Sequence, residues 1–487
     1  QEKRPGPAGK AGDFRDWPEN GWIRARTARA CLQDPPAGLE TTRPLHFTRL
    51  KAYFIRRLLL VPLTLIGITL LVFAIVRMAP GGPVQQSLQR LLGGDGEARR
   101  SQAEQGASLT AAQVLEIEEG YGLHKGIMRG YLEWLGVLPR DIELRGREFP
   151  EDGAEVEIPV PGSVHVVKVS RDESGGARMA MADPDAPGAG EFDLGAWDVR
   201  IVSPEAQAKR WEKYLDNIEL TELPQPRAQL YKPAFDGLLQ GSLGDSWKYQ
   251  DPVWTMILQR MPVSLFFGGI AMVLIYAICL PLGMIKAIRH RTWLDNFSSL
   301  LVFGGYAIPG YALGALLVVY LSAQLRWFAL GGFVSDNFES LSLGGKIADL
   351  SYHGTLPLLC YLIGSFAMMT MLMKNNLMDN LAADYVRTAI AKGTGFRKAV
   401  FRHAFRNSII PIATTFGGNL MLIVTGSLLI ERVFDINGFG LLSFNALLDF
   451  DQPVIMGVLF VSALLMLLGN VVSDLCVALV DPRVSYK

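Results

Sequence analysis

Hydrophobic and polar positions segregate along this chain on two scales: long uncharged stretches, and a short alternating pattern lying between the first two of them. Arg57 and Arg77 bracket 19 residues without a charge, Arg260 and Lys286 bracket 25, and Asp295 and Arg326 bracket 30. Further along, 24 uncharged residues separate Asp349 from Lys374, 24 separate Arg406 from Glu431, and 22 separate Asp451 from Asp474. About 20 apolar residues at 1.5 Å rise cross roughly 30 Å of hydrocarbon, and a helix satisfies its own backbone groups there. The pattern predicts six spanning helices. A buried helix of a large soluble protein is the rival reading for any one segment, but six in one chain leave it little room.

The connection from about 79 to 260 is far longer than a turn needs, so it is expected to contain folded structure. Thr110 to Gln113 fits a capping box, and Val114, Ile117, Tyr121, then Met128, Tyr131, Leu132 and Leu135 have helical spacing, interrupted at Gly120 and Gly122. Two short helices are expected. From Asp141 the period changes: Val156, Ile158 and Val160 alternate with Glu155, Glu157 and Pro159, and Val164 to Val169 follows a Pro-Gly turn. Arg178 to Ala182 and Trp197 to Val202 are further strand candidates, and helical pattern returns near Glu205. The expected organisation is a disordered tail over 1–45, a first span over 46–80, and an extracytoplasmic region over 81–260 with a β-rich module at about 141–203. A membrane core over 261–483 follows, with a loop at 375–408. The tail mixes Gly, Pro, Arg and Asp without a period, and no small-residue cleavage site follows its apolar neighbour, which argues against a signal peptide.

Composition adds little: 49% hydrophobic residues and zero net charge average two unlike regions. The distribution of charge says more. Arg43, Arg49, Lys51, Arg56 and Arg57 precede the first span with no acid among them, which places the N-terminus in the cytoplasm by the positive-inside rule. Lys286, Arg289 and Arg291 against Asp295, and seven basic residues against Asp379 and Asp384, put the loops after spans two and four on that side too. The loops after spans three and five are acidic and fall outside. Arg77, at the outer end of the first span, breaks the trend and reads as a snorkelling side chain. Cys279, Cys360 and Cys476 lie in spans and Cys31 in the tail, with no disulfide or zinc spacing.

Catalytic and phosphate-binding motifs are absent. The chain has no G-x-x-x-x-G-K-[ST] loop, no H-E-x-x-H pair and no G-x-S-x-G elbow, and its six histidines are scattered. No cofactor, metal or catalytic residue is assigned to it, and nucleic acid is not an expected partner. Energy for any work done here has to come from another subunit.

The informative polar stretch is the basic loop between spans four and five. Asp384 to Lys392 is helix-compatible, Gly393 and Gly395 flank Thr394 and permit a sharp turn, and Phe396 to about Asn407 forms a second basic helix before Pro411. The product is a helix-turn-helix projecting from the membrane. Read alone, it is either a docking element or a solvated loop that merely obeys the positive-inside rule.

Phe54 to Thr64, continuing to Arg77-Met-Ala-Pro-Gly-Gly-Pro83, resembles the first span of the permeases of bacterial oligopeptide and dipeptide ABC importers, most closely the YejB type. Tyr121 to Lys125 and Gly241 to Trp247 are similar to the family's outer-loop signatures, and Gly426 to Glu431 and Ser473 to Arg483 to its closing segments. Asp384-Tyr-Val-Arg-Thr-Ala389, Ala391-Lys-Gly393 and Arg402 to Asn407 are similar to the loop that couples to the ATPase, with Arg387-Thr388-Ala389 in place of the usual acid and alanines. The resemblance covers about residues 50–140 and 230–487. It implies an all-helical, six-span type I importer transmembrane domain with a mixed α/β insertion after span one, multi-pass in the bacterial inner membrane. It further implies half of a pathway for oligopeptides, peptide antibiotics among them. Asp384, Tyr385, Arg387, Thr388, Ala389, Ala391, Lys392 and Gly393 would contact the ATPase subunit. The implied partners are a second permease subunit, two nucleotide-binding domains carrying ATP and magnesium, a periplasmic peptide-binding protein, the peptide and the bilayer. A membrane receptor or assembly scaffold without transport, and a membrane peptidase, are the rival classes.

Overall fold

A computed structural model describes residues 43–79, 118–150, 155–171, 176–183, 192–212 and 225–480. The chain divides into two units, residues 1–49 and Leu50–Lys487, and apart from the first residues of the first helix the features discussed below lie in the second. The tail expected over 1–45 lies outside the described residues except for 43–45, which open the first helix, and the capping box at Thr110 to Gln113 also lies outside them.

Helix α1 spans Arg43–Met78. Its apolar face meets α2, Ile127–Leu135, and a residue near the C-terminus: Phe73, Tyr131 and Met456 form one buried cluster. The Thr69 and Tyr131 hydroxyls bond at 2.9 Å across it. Lower on α1, Arg57 pairs with Asp474, and the Tyr53 hydroxyl donates to the same carboxylate at 2.8 Å. Arg77 is a capping device: it donates to the carbonyls of Gly122 at 3.0 Å and Lys125 at 3.3 Å, and stacks over the Phe73 ring. A cation there satisfies the carbonyls of a turn, which accounts for its exception to the charge rule.

The region between α1 and the next span holds two antiparallel three-stranded sheets. One comprises β2 (Glu155–Pro159), β3 (Val166–Arg171) and β4 (Ala177–Met181) in that order. The other brings together β1 (Arg140–Glu148), β5 (Asp198–Val202) and β6 (Arg227–Ala234), with β6 in the centre. Phe149, Val156, Ile158, Val167, Val169, Trp197, Ala228 and Leu230 form a core common to both sheets. The module expected at 141–203 therefore runs past its predicted end, since the central strand of its second sheet lies at 227–234. In β6 polar and apolar residues alternate only from Arg227 to Leu230 before Tyr231, Lys232 and Pro233 end the pattern, and Arg227 and Gln229 are buried along with Ala228 and Leu230. Helix α3, Pro204–Glu212, follows β5 at the position expected.

Ion pairs tie the turn after α1 to this lobe. Lys125 reaches Glu133 at 2.6 Å and Asp141 at 3.1 Å, Arg200 reaches Asp141 at 2.9 Å, and Glu119 takes Arg210 at 3.1 Å and Arg227 at 3.2 Å. Within this network His124 is held neutral: burial, then the nearby positive charges of Arg210, Arg200 and Lys125, push its pKa down to about 3. Burial works to raise the Asp141 carboxyl, but Lys125 and Arg200 outweigh it and lower its pKa. Both groups are depressed in the folded state, so both contribute stability that is present at neutral pH and lost on acidification. For His124 the loss begins below its ordinary value near 6.5 and reaches about 2 kcal/mol by pH 5. Limited proteolysis of the intact protein is expected to cut the lobe faster at pH 5 than at pH 7, and His124→Gln to flatten that dependence. Equal rates at the two pH values would refute the assignment.

The remaining helices form the membrane core. They are α4 (Val253–Ile288), α5 (Trp293–Ala307), α6 (Gly310–Leu317, continuing as a π-helical turn Val318–Gln324) and α7 (Leu343–Ala382). Then come α8 (Asp384–Ala391) and α9, a helix made of Phe396–Ala399, a π-turn Val400–Ala404 and Phe405–Ser408. The last are α10 (Ile410–Thr425), α11 (Leu428–Val433), α12 (Phe439–Asp449) and α13 (Gln452–Val480). Among the described residues four helices are long and apolar enough to span: Ala52–Met78, Val253–Ile288, Leu343–Ala382 and Gln452–Leu479. The bent pair Trp293–Ala307 and Gly310–Gln324, whose halves meet at 89°, makes a fifth if taken as one span.

Single long helices thus account for four of the six expected spans, and the other two segments are bent or shortened for local reasons. Pro309 removes an N–H and drives Ile308 into extended backbone (φ −100°, ψ 119°), which breaks the 30-residue segment after Asp295. The segment after Arg406 holds only the 16 residues of α10 before Gly426 turns the chain with φ +61°. Helical hydrogen bonds nevertheless run on from the last turn of α9 through Ile409 into α10, with Ile409 N–H donating to Phe405 O at 3.0 Å and Ala413 N–H to Ile409 O at 2.9 Å, and lengthen the segment toward the roughly 30 Å of hydrocarbon.

Close backbone approaches set the packing of the core. A Cβ on Gly283 of α4 would lie 2.7 Å from the Thr370 carbonyl of α7, and one on Gly417 of α10 would lie 2.1 Å from the Gly469 carbonyl of α13. Small residues at such crossings let membrane helices gain dispersion contacts that no hydrophobic effect supplies in lipid.

Candidate functional site

Helix α8 begins one residue after α7 ends. Ala383 is extended (φ −72°, ψ 147°), so α8 leaves α7 at a corner rather than prolonging it. Its other end is a Schellman motif: Gly393 N–H donates to Ile390 O at 2.9 Å and Thr394 N–H to Ala389 O at 3.1 Å, with Gly393 at φ +90°. Gly395 has φ −58° and starts α9, so of the two glycines expected to permit the turn only Gly393 supplies a left-handed residue.

This hairpin is anchored from beneath. Val386 of α8 and Ala399 and Ala404 of α9 are buried with Ile275, Cys279, Met373, Leu377 and Ile412 of α4, α7 and α10. The Ser408 hydroxyl donates to Ala404 O at 2.8 Å and to Asn376 O at 3.2 Å. The opposite face is open. Tyr385, Ile390, Phe396 and Phe401 are exposed, among the exposed cations Arg387, Lys392, Arg397, Lys398, Arg402 and Arg406. Asp384, Tyr385, Arg387, Thr388, Ala389, Ala391, Lys392 and Gly393 therefore form one contiguous stretch, α8 and its terminal turn. Arg387 and Asp384 approach only to 3.8 Å with both side chains largely in solvent, so their pairing contributes little. The Tyr385 hydroxyl donates to Asn380 Oδ1 at 2.5 Å and fixes α8 to the end of α7.

Two buried polar clusters flank the hairpin's supports, and neither was read from the sequence. At the far end of α4, Lys286 is fully buried, donating to Asp295 O at 3.0 Å, Ser298 at 2.8 Å and Ser299 at 2.7 Å. Lys374 of α7, two turns before the hairpin, clasps both Asp295 oxygens at 2.7 and 2.9 Å, and Arg291 N–H donates to the same carboxylate at 3.0 Å. By sequence position these three charges belong to loops, whereas in the fold they bind α4, α5 and α7 together. The signal for them was their position at the edges of uncharged segments, where a charge has to be partnered.

Glu431 forms the second cluster. Its carboxylate, fully buried, accepts from Ser264 at 3.0 Å and from Leu441 N–H at 2.8 Å. A Cβ on Gly426, Gly438 or Gly440 would come within 1.8, 2.5 or 3.0 Å of it. The Gly426 to Glu431 signature is thus a carboxylate wrapped by three glycines, holding α11 and α12 against α4.

The separated loop signatures also converge. The Tyr121 and Trp247 rings lie 4.5 Å apart, and Ser246 and Trp247 donate to Asp451 at 2.5 and 3.1 Å.

Residues 279–486 match the model of the family described as binding-protein-dependent transport system inner membrane component. Over 439 residues the chain is 32% identical to the inner membrane ABC transporter permease protein YejB of Escherichia coli O157:H7, covering 90% of this chain and 99% of that protein. This chain belongs to the ABC transporter permease family. The permease is also 36% identical over 247 residues to the peptidoglycan transport system permease protein YejB of Agrobacterium fabrum, covering 50% of this chain and 68% of that protein. To the oligopeptide transport system permease protein AppB of Bacillus subtilis it is 33% identical over 287 residues, covering 59% of this chain and 88% of that one. The permease is accordingly a multi-pass inner-membrane protein of the peptide-transport branch. The family model covers α5 to α13 and so includes the whole α8–α9 hairpin.

Proposed function

We propose that the permease forms one half of the transmembrane pathway of an ATP-driven importer of oligopeptides. A second permease subunit supplies the other half, two nucleotide-binding domains carrying ATP and magnesium drive it, and a periplasmic peptide-binding protein delivers substrate. In this reading the N-terminus and the α8–α9 hairpin face the cytoplasm, as their basic excess favours. The bent pair α5–α6 and the short α10 complete six crossings. The observation that carries the reading is the hairpin itself: a rigid turn, an apolar underside buried on α4, α7 and α10, and an outer face of exposed aromatic and basic side chains. Docked on an ATPase subunit through Asp384 to Gly393, the hairpin would pass that subunit's closure into α7 through the corner at Ala383. Rigid-body rocking of α4 and α7 then alternates access to the pathway.

The relative named for peptidoglycan transport makes peptidoglycan-derived peptides a second substrate class to assay beside plain oligopeptides. The test is reconstitution with the neighbouring subunits in vesicles. Peptide, delivered by the binding protein, is expected to raise ATP hydrolysis and to accumulate inside. Assembly without peptide-stimulated hydrolysis would favour a receptor or scaffold instead.

A further inference from the structure

Away from the hairpin, at the end of α4 from which the β lobe projects, a small cleft is lined by Tyr249, Arg260, Leu442, Asn445, Ala446, Asp449, Asp451 and Val454. Arg260, two turns into α4, is its cation. Among the described residues its hydrogen-bond partners are neutral: Asn437 Oδ1 at 3.0 Å from Nε and the Met256 carbonyl at 3.0 Å from Nη1. The two acids of the cleft are occupied elsewhere. Asp451, 2% exposed, accepts from the Ser246 hydroxyl at 2.5 Å and from Trp247 and Lys248 N–H at 3.1 and 3.3 Å. Asp449 takes the Lys248 ammonium at 2.7 Å. Leu442, Ala446 and Val454, all nearly buried, give the cleft an apolar wall, against which a charge-assisted bond is less weakened by water. Asp251 is near enough for its charge to act on Arg260 without bonding it, and the guanidinium nitrogen Nη2 keeps no hydrogen-bond partner among the described residues, in a cleft that Asn445 and Tyr249 also line.

The geometry points to this cleft as the entry subsite for the C-terminal carboxylate of the transported peptide, with Arg260 as its binding residue. A guanidinium fork matches a carboxylate's two oxygens, and burial of the pair in a partly apolar cleft makes the contact selective. Every linear peptide with a free C-terminus carries that group whatever its side chains, so one arginine can hold many substrates without reading their sequence. The inference rests on the peptide-import reading and on the lobe end of α4 facing the periplasm.

The test compares a tripeptide with its C-terminal amide in vesicles holding the complete importer, using the same binding protein throughout so that its own preference cancels between variants. The wild type is expected to transport the free acid about 10- to 100-fold more efficiently, as loss of a charge-assisted hydrogen bond predicts. Arg260→Gln should bring the two peptides together by a loss on the acid alone, and Arg260→Lys should retain part of the preference. An Arg260→Gln variant that loses both peptides equally, or keeps the wild-type preference, overturns the subsite. Equal handling of acid and amide by the wild type overturns it without any variant. Failure of the wild type to accumulate either peptide would instead defeat the import reading, and the subsite with it.

Discussion

Replacing Gly417 by leucine is expected to prevent α10 from seating on α13 and to leave the permease unable to assemble its core. The first atom of the new side chain would stand 2.1 Å from the Gly469 carbonyl oxygen and 2.9 Å from Ser473 Cβ. Backbone cannot rotate out of the way as a flexible side chain can, so the two helices must separate by several tenths of an ångström or more along their contact. That forfeits dispersion contacts and also the Ser473 hydroxyl bonds to Ala413 O at 3.0 Å and Thr414 O at 2.7 Å. Overpacking of this kind costs about 3 kcal/mol or more, a large share of a typical folding stability of roughly 5–15 kcal/mol. Gly418 is the internal control. A Cβ there meets nothing within 4 Å, so Gly418→Leu is expected to behave like the wild type. Thermal unfolding in detergent and the yield of monodisperse protein would compare the two. Equal midpoints for the two variants would show that α10 and α13 do not cross at Gly417.

The second large effect is expected at Gly393, on coupling and not on assembly. At φ +90° a β-branched residue is strained by its own backbone, although the space around it is open, with nothing within 4 Å of an added Cβ. Valine there costs about 1–3 kcal/mol, which translates into roughly a 5- to 150-fold smaller population of the closed turn. The buried anchors Val386, Ala399 and Ala404 are untouched, so Gly393→Val is expected to insert and purify normally while peptide-stimulated ATP hydrolysis falls about 10-fold or more. Gly395→Val makes the contrast: its φ of −58° suits any residue and its Cβ also meets nothing, so hydrolysis is expected to persist. If the two valine variants lose stimulation alike, the turn geometry is not what matters, and exposure of a new apolar group becomes the better account.

The hairpin was legible because its information is local. Asp384 to Lys392 has helix-forming composition, the glycines mark a turn, and the apolar stretches on either side bracket it, so the chain itself announces a helix, a turn and a helix. The same holds for β2 to β5, whose alternation or β-branched runs lie within single strands, and for the long uncharged segments that became α1, α4, α7 and α13.

What sequence alone determined, then, is where the chain is apolar enough to enter a membrane, which loop is basic, and where turns interrupt it, since each depends on residues within a few positions of one another. Tertiary structure decided the rest. Lys286, Asp295 and Lys374 read as solvated loop charges until folding places them within hydrogen-bond distance, where burial makes their pairing obligatory. Strand β6 becomes recognisable only between its partners β1 and β5, because its alternation lasts just from Arg227 to Leu230 and its buried Arg227 and Gln229 find their partners, Glu119 and Arg200, far away in sequence. Two of the six expected spans are not single straight helices for a related reason. An uncharged stretch reports what a bilayer would accept, whereas Pro309 and Gly426 decide whether one helix runs through it, and neighbouring helices supply the contacts that make a broken or shortened one tolerable.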